Sequence, residues 1–153
     1  MVKEVRRQTA YLWLMSVPKL GSVSVAQLIA VVGTPHRFRS KQQFWSYVGL
    51  AVVTRSTADH EVVAGVLRRS QRPVSTRGLN RNHNHLLKRV FKNAATSACH
   101  SGPFKAGYDL RVARGMAPSL ARLTIARQLA ATTLAIWKRG EQFDPERKKQ
   151  QAA

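Results

Sequence analysis

The sequence has 153 residues, 44% of them apolar, which is enough for one domain with its own core. Its 26 Lys and Arg against 7 Asp and Glu give a formal charge of +19 and a pI near 11.7. That imbalance points to a polyanionic partner, nucleic acid first. No apolar run approaches the ~20 residues of a membrane span, the charged N-terminus lacks a signal-peptide pattern, and a single cysteine, Cys99, excludes an internal disulfide framework and suits a reducing cytoplasm.

In chain order, residues 3–16 read as a first helix, with Leu12, Leu14 and Met15 on its apolar side. Val17-Pro18-Lys19-Leu20-Gly21 is a tight turn: Pro18 stops the helix and Gly21 can take a positive φ. A second helix runs to Val32 on a stripe of Val25, Leu28, Ile29 and Val32, with Ser22 or Ser24 as its N-cap. The pair is similar to a helix-hairpin-helix, in which Lys19, Gly21 and Ser22 would seat a backbone phosphate. An ordinary helix-helix corner fits the same residues. Gly33-Thr34-Pro35 breaks the chain, and Ser40 caps a helix with Phe44, Trp45 and Val48 inward, ending at Gly49. Trp45 and Tyr47 could stack on bases, although Trp45 suits the core better.

From Leu50 the helical period is lost. Leu50–Thr54 reads as a short buried segment, and Glu61–Arg68 as a strand or hairpin arm around Gly65. No acid occurs between Glu61 and Asp109, while Arg68, Arg69, Arg72, Arg77, Arg81, Lys88, Arg89 and Lys92 crowd together beside Ser70, Ser75, Thr76, Asn80, Asn82 and Asn84. Cations interleaved with phosphate donors predict a track for a nucleic-acid backbone. Three helices follow, over about 84–100, 104–114 and 118–138, and the polar stretch 141–153 reads as a disordered tail. The expected fold is mainly α: a single domain over 1–140, with a helix-hairpin-helix-like start, a small β-hairpin or irregular excursion near 50–75, and then a helical bundle.

The seven acids are scattered, with Asp59 and Glu61 close together, so the chain supplies no carboxylate cluster for Mg²⁺. Five histidines, without cysteine pairs or an HExxH, do not predict zinc. A hydroxyl nucleophile is the remaining route. Ser56-Thr57 follows Arg55 and precedes Asp59-His60, and Arg55, Arg68, Arg69 and Arg77 could offset charge developing on a phosphodiester. On composition alone, Ser-Thr in a loop is more usually a cap or a turn.

The ordered set of VPKLG, FRSKQQFWSYVGL, VVTRSTAD, TRGLNRNHNHLLKRVFKNAA and ARLTIARQLAATTLAIW resembles the C-terminal transposase domain of the insertion sequence 110/116/902 family, relatives of the Piv invertase. The resemblance covers about residues 11–138. It implies DNA transposition or site-specific recombination, a serine nucleophile, DNA and a guide RNA as partners, self-association or association with a full-length transposase, and a cytoplasmic, nucleoid-associated location. It also implies an N-terminal RuvC-like domain whose four acids hold Mg²⁺. That domain is not in this sequence, which therefore reads as a truncated or split transposase. The family serine falls near Ser56-Thr57, by spacing on Thr57 and by chemistry on Ser56. The Arg77-Gly78-Leu79-Asn80 segment is similar to the family's basic Gly-Asn turn. The rival reading is a non-catalytic basic binder of nucleic acid, of ribosomal or nucleoid type.

Overall fold

A computed structural model describes residues 8–55, 60–69 and 75–146. Among them are six α-helices: α1 (Thr9–Met15), α2 (Ser22–Val32), α3 (Lys41–Tyr47), α4 (His85–His100), α5 (Lys105–Ala113) and α6 (Pro118–Arg139). Four short strands interrupt them, β1 (Val52–Arg55), β2 (His60–Val63), β3 (Val66–Arg69) and β4 (Ser75–Leu79). The fold is mainly helical, as the sequence predicts, with the β excursion lying between α3 and α4.

Helix α6 is the axis of the core. Its buried residues, among them Ile125, Leu129, Leu134 and Trp137, spread around more than one face, and α1, α3, α4 and α5 all pack on it. Buried alanines on both partners (Ala94, Ala95 and Ala98 on α4; Ala121, Ala126 and Ala130 on α6) leave room for the two longest helices to approach. Phe91 meets Phe44 of α3 edge to face at 5.8 Å, joining the third helix to that pair. The buried Thr133 hydroxyl donates to the Leu129 carbonyl one turn back, so it leaves no unpaired polar group in the core.

Several boundaries follow the predicted chemistry. The Ser40 hydroxyl accepts from the Gln43 N–H, capping α3, while the Asn84 side chain, read from the sequence as a phosphate donor, instead accepts from the Leu87 N–H and caps α4. Pro118 opens α6, and Gly140 closes it in the left-handed conformation. Others differ. Along α1 the buried residues are Tyr11 and Leu14, whereas Leu12 is 61% exposed and Met15 also faces solvent. The inward stripe is thus set by packing against α2 and α6, about 100° around the helix from Leu12. Gly21, not Ser22 or Ser24, is the N-cap of α2, and its φ is −78°. The reversal falls two residues earlier, where Lys19 has a φ of 67°, a conformation that costs a side-chain-bearing residue about 1–2 kcal/mol.

The segment from Leu50 also divides. Leu50 is buried, but Val52 and Val53 are exposed, because the chain leaves the helical body there and enters a strand. Strand β1 pairs antiparallel with β4, and β2 with β3, as two separate two-stranded ladders. In the first, Val52 opposes Leu79 and Thr54 opposes Thr76, so Arg77 and Gly78 together face Val53. Gly78, with φ 92°, absorbs that bulge. In the stretch read as a disordered tail, Phe143 packs against the fold while its neighbours stay exposed. Phe143 stacks on Phe104 at 6.2 Å and donates its N–H to Ser16 Oγ at 2.7 Å.

Gly49 ends α3 at φ 74°, and a Cβ there would lie 2.4 Å from Cγ of His83. Gly65, at φ 77° in the β2–β3 turn, has open space instead. Gly49→Ala should therefore cost about 2–5 kcal/mol, strain and overpacking together, and Gly65→Ala at most about 1–2 kcal/mol from strain. Urea unfolding of the two variants measures the difference.

Candidate nucleic-acid interface

The excursion is rooted at one junction. The Leu50 and Ala51 N–H groups both donate to the Trp45 carbonyl, at 2.8 and 3.2 Å. Arg127, reaching from α6, donates its Nε to the Leu50 carbonyl at 2.7 Å, while its own carbonyl accepts from Trp45 Nε1 at 3.0 Å. The chain returns at Asn80, whose N–H donates to the Ala51 carbonyl, and at Asn84, whose N–H donates to the Tyr47 carbonyl. Burial alone lowers the pKa of Arg127, and its buried Nη2 has no hydrogen-bond partner. Arg127 was not singled out from the sequence. The available signal was a guanidinium flanked by Ala126 and Gln128 in the middle of a long predicted helix.

The aromatic residues offered as base stackers serve the core. Trp45 is half-buried on Arg127, with Lys41 over its ring at 5.7 Å. Tyr47 is half-buried against Phe38 at 5.3 Å and carries the Arg37 guanidinium on its face at 5.1 Å.

The predicted binding residues divide into two groups. Arg55, Arg68, Arg69, Arg77, Asn80, Arg81 and Lys88 belong to the excursion and the start of α4. Arg55 ends β1, opposite Ser75, at the end of the ladder remote from the Leu50 root. Arg68 is exposed on β3 and stands in register with Glu61; Arg69 is in register with His60. Arg81 is exposed just after β4. Asn80 is spent internally: its Nδ2 donates to the carbonyls of Ser46 and Asn82, and its Oδ1 accepts from the Asn82 N–H. Lys88 is half-buried on α4, and its pKa is lowered first by burial and then by Lys92, a penalty that an incoming phosphate would relieve. Ser56, Thr57 and Arg72 lie outside the described residues.

Lys19, Gly21 and Ser22 form the second group, at the other end of α4. Lys19 Nζ donates to Ser101 Oγ at 2.7 Å, tying the α1–α2 turn to the turn that follows His100. From His85 to His100 the helix rises about 22 Å, so the two groups are separated by roughly six base-pair steps of duplex.

His83 packs over Gly49 at the root, its ring centroid 4.5 Å from that of His85. Burial, then Lys88 and His85, lower its pKa from the ordinary 6.5, against a smaller pull from the Asn80 and Arg81 backbone. Among the described residues no three His, Cys, Asp or Glu side chains gather into a metal-ligand set. Cys99 is buried, and burial is the first cause raising its thiol pKa. No helix among the described residues is long and apolar enough to cross a membrane.

A basic helical domain that roots a cationic β excursion between its third and fourth helices defines the class. The sequence model of the Transposase IS116/IS110/IS902 family matches residues 12–109, from α1 through the excursion and α4 into α5. The chain belongs to that transposase family. No curated protein matches it.

The lowered pKa of His83 fixes the sign of a pH dependence. Near and below pH 6.5 the unfolded chain takes up this proton more readily than the folded one, so stability present above 6.5 is lost as pH falls. The urea midpoint should drop between about pH 7.5 and 5.5, and His83→Asn should flatten that drop. Equal slopes for the two proteins would show that His83 is not the group responsible.

Proposed function

We propose that this chain is the DNA-binding, nucleophile-bearing part of a transposase, gripping phosphates with the excursion and the start of α4. The observation that carries this reading is the family match, which spans the cationic excursion itself. Charge supports it: exposed Arg68, Arg81, Arg89 and Lys92 lie in a stretch with no acid between Glu61 and Asp109. Strand β1 supports it too, since it runs outward and ends on Arg55, immediately before Ser56-Thr57.

In this mechanism a hydroxyl of Ser56 or Thr57 attacks the phosphorus of a DNA phosphodiester. An oxygen–phosphorus bond to the protein forms, the bond to the leaving strand oxygen breaks, and that oxygen takes up a proton. Guanidinium groups offset the charge that builds on the phosphoryl oxygens. The described residues provide no ligand set for the Mg²⁺ that the family reading calls for. Carboxylates of a RuvC-like domain, on the same polypeptide or another subunit, would hold that ion. The Lys19–Ser22 turn is a second phosphate contact about six base-pair steps away, in helix-hairpin-helix fashion. A guide RNA, self-association or association with a full-length transposase, and a cytoplasmic, nucleoid-associated location complete the proposal.

Two measurements test it. Affinity for duplex DNA should fall steeply with salt, as for roughly 6–10 neutralised phosphates, and Arg68→Ala with Arg81→Ala should reduce the slope by about 2. A salt-independent affinity contradicts the binding claim. For the chemistry, protein–DNA adducts are trapped on denaturing gels with a RuvC-like domain supplied. Adducts should disappear when Ser56 and Thr57 are both changed to Ala. Binding without adducts under every condition favours the non-catalytic reading.

A further inference from the structure

The β2–β3 hairpin is the least expected surface of the molecule. Its register pairs Val62 with Leu67 and Val63 with Val66, and Ala64-Gly65 closes it with φ values of 52° and 77°. Positive φ at both turn residues defines the tightest hairpin closure. The tip Val-Val-Ala-Gly-Val-Leu carries no charge, whereas Arg68 and Arg69 follow at once on the return strand. Val62 is 68% exposed and Val66 55% exposed. They belong to different registered pairs one residue apart, so they sit on opposite faces of the ribbon. Among the described residues nothing covers either valine. A lone two-stranded hairpin is marginal in water, and apolar side chains on both its faces are a liability unless something receives them.

Resting on the DNA-binding reading above, we propose that this ribbon is a wedge: it enters a groove of duplex DNA and unstacks a base step with its apolar tip. A two-stranded ribbon is admitted by the major groove, and a turn of only two residues keeps the leading end narrow. Apolar side chains between base steps are an established means of kinking a duplex, at a cost of a few kcal/mol per step. Phosphate contacts by Arg68 and the other cations at the base of the ribbon offset that cost. Charge separates this occupant from a second copy of the chain at this surface: Arg68 and Arg69 directly follow the apolar tip, and like charges would have to meet there.

The test uses the full chain and a set of duplexes carrying 2-aminopurine at successive positions, whose fluorescence rises when the base loses its stacking partners. Wild type should raise the signal severalfold at one or a few adjacent positions. Val62→Ser with Val66→Ser should bind within about threefold of wild type, with the same salt dependence, and leave the signal at the free-duplex level. The near-isosteric pair Val62→Thr and Val66→Thr, which alters the tip with the least disturbance of the strands, should also reduce the rise. Wild-type binding without a rise, or an equal rise from the valine variants, overturns the wedge and leaves DNA binding standing. Failure of wild type to bind any duplex overturns the binding reading and the wedge with it. A rise produced only with single-stranded RNA or DNA removes the duplex as the occupant.

Discussion

The hydrogen bond from the Arg127 guanidinium to the Leu50 carbonyl is the constraint on which the rest of this molecule depends. Residues 50–84 leave the helical body and return to it within a few ångströms, and both crossings are held there. Arg127 fixes the exit, its own carbonyl holds Trp45, and Trp45 accepts the amides of Leu50 and Ala51. Asn80 closes the return by donating to Ala51. A half-buried guanidinium is costly to desolvate, and one of its nitrogens is left without a partner. The arrangement is understandable if what it positions is worth that cost. It fixes the base of an excursion whose two ladders otherwise hold mainly to themselves.

The second organising term is charge. A body of +19 repels itself, yet the cations are distributed so that the core stays dry: α4 turns Leu87, Phe91, Ala94 and Ala98 inward and leaves Arg89 and Lys92 in water. Each large buried side chain contributes about 1.5–3 kcal/mol, so the helical body tolerates a repulsion that high-dielectric solvent and salt already weaken. The excursion has no such core. Among the described residues it is tied to the helical body through its root.

Much of this was legible in the sequence, because local chemistry and tertiary packing agree. Ser40 is a cap by side-chain reach, Pro118 and Gly140 bracket a helix by backbone preference, and the alanine-rich stripes of α4 and α6 have helical spacing. The Gly65-centred hairpin was visible in its β-branched flanks. What escaped notice is non-local. Lys19 adopts a left-handed conformation and its Nζ reaches Ser101 across the fold, which no window around Pro18 reveals. Arg127 matters for an acceptor 77 residues away. Asn80 resembles a phosphate donor until its amide is found occupied by Ser46 and Asn82. Leu12 and Leu14 are equally apolar, and only the position of α6 decides which is buried. The family's segments were readable over residues 12–109, the span its sequence model matches. The roles of Ser56 and Thr57 rest on chemistry, since they lie outside the described residues.

The central claim, that one guanidinium roots the excursion on an independently stable helical body, is tested most directly by amide hydrogen exchange on Arg127→Met. The substitution keeps the apolar stem and removes the donor, leaving the Leu50 carbonyl unpaired at a cost of about 1–3 kcal/mol. The account predicts faster exchange at the amides of Leu50, Ala51 and Asn80, with the amides of Phe91 in α4 and Leu129 in α6 protected as in wild type. Unchanged protection at Leu50, Ala51 and Asn80, or a uniform loss that includes Phe91 and Leu129, would contradict it.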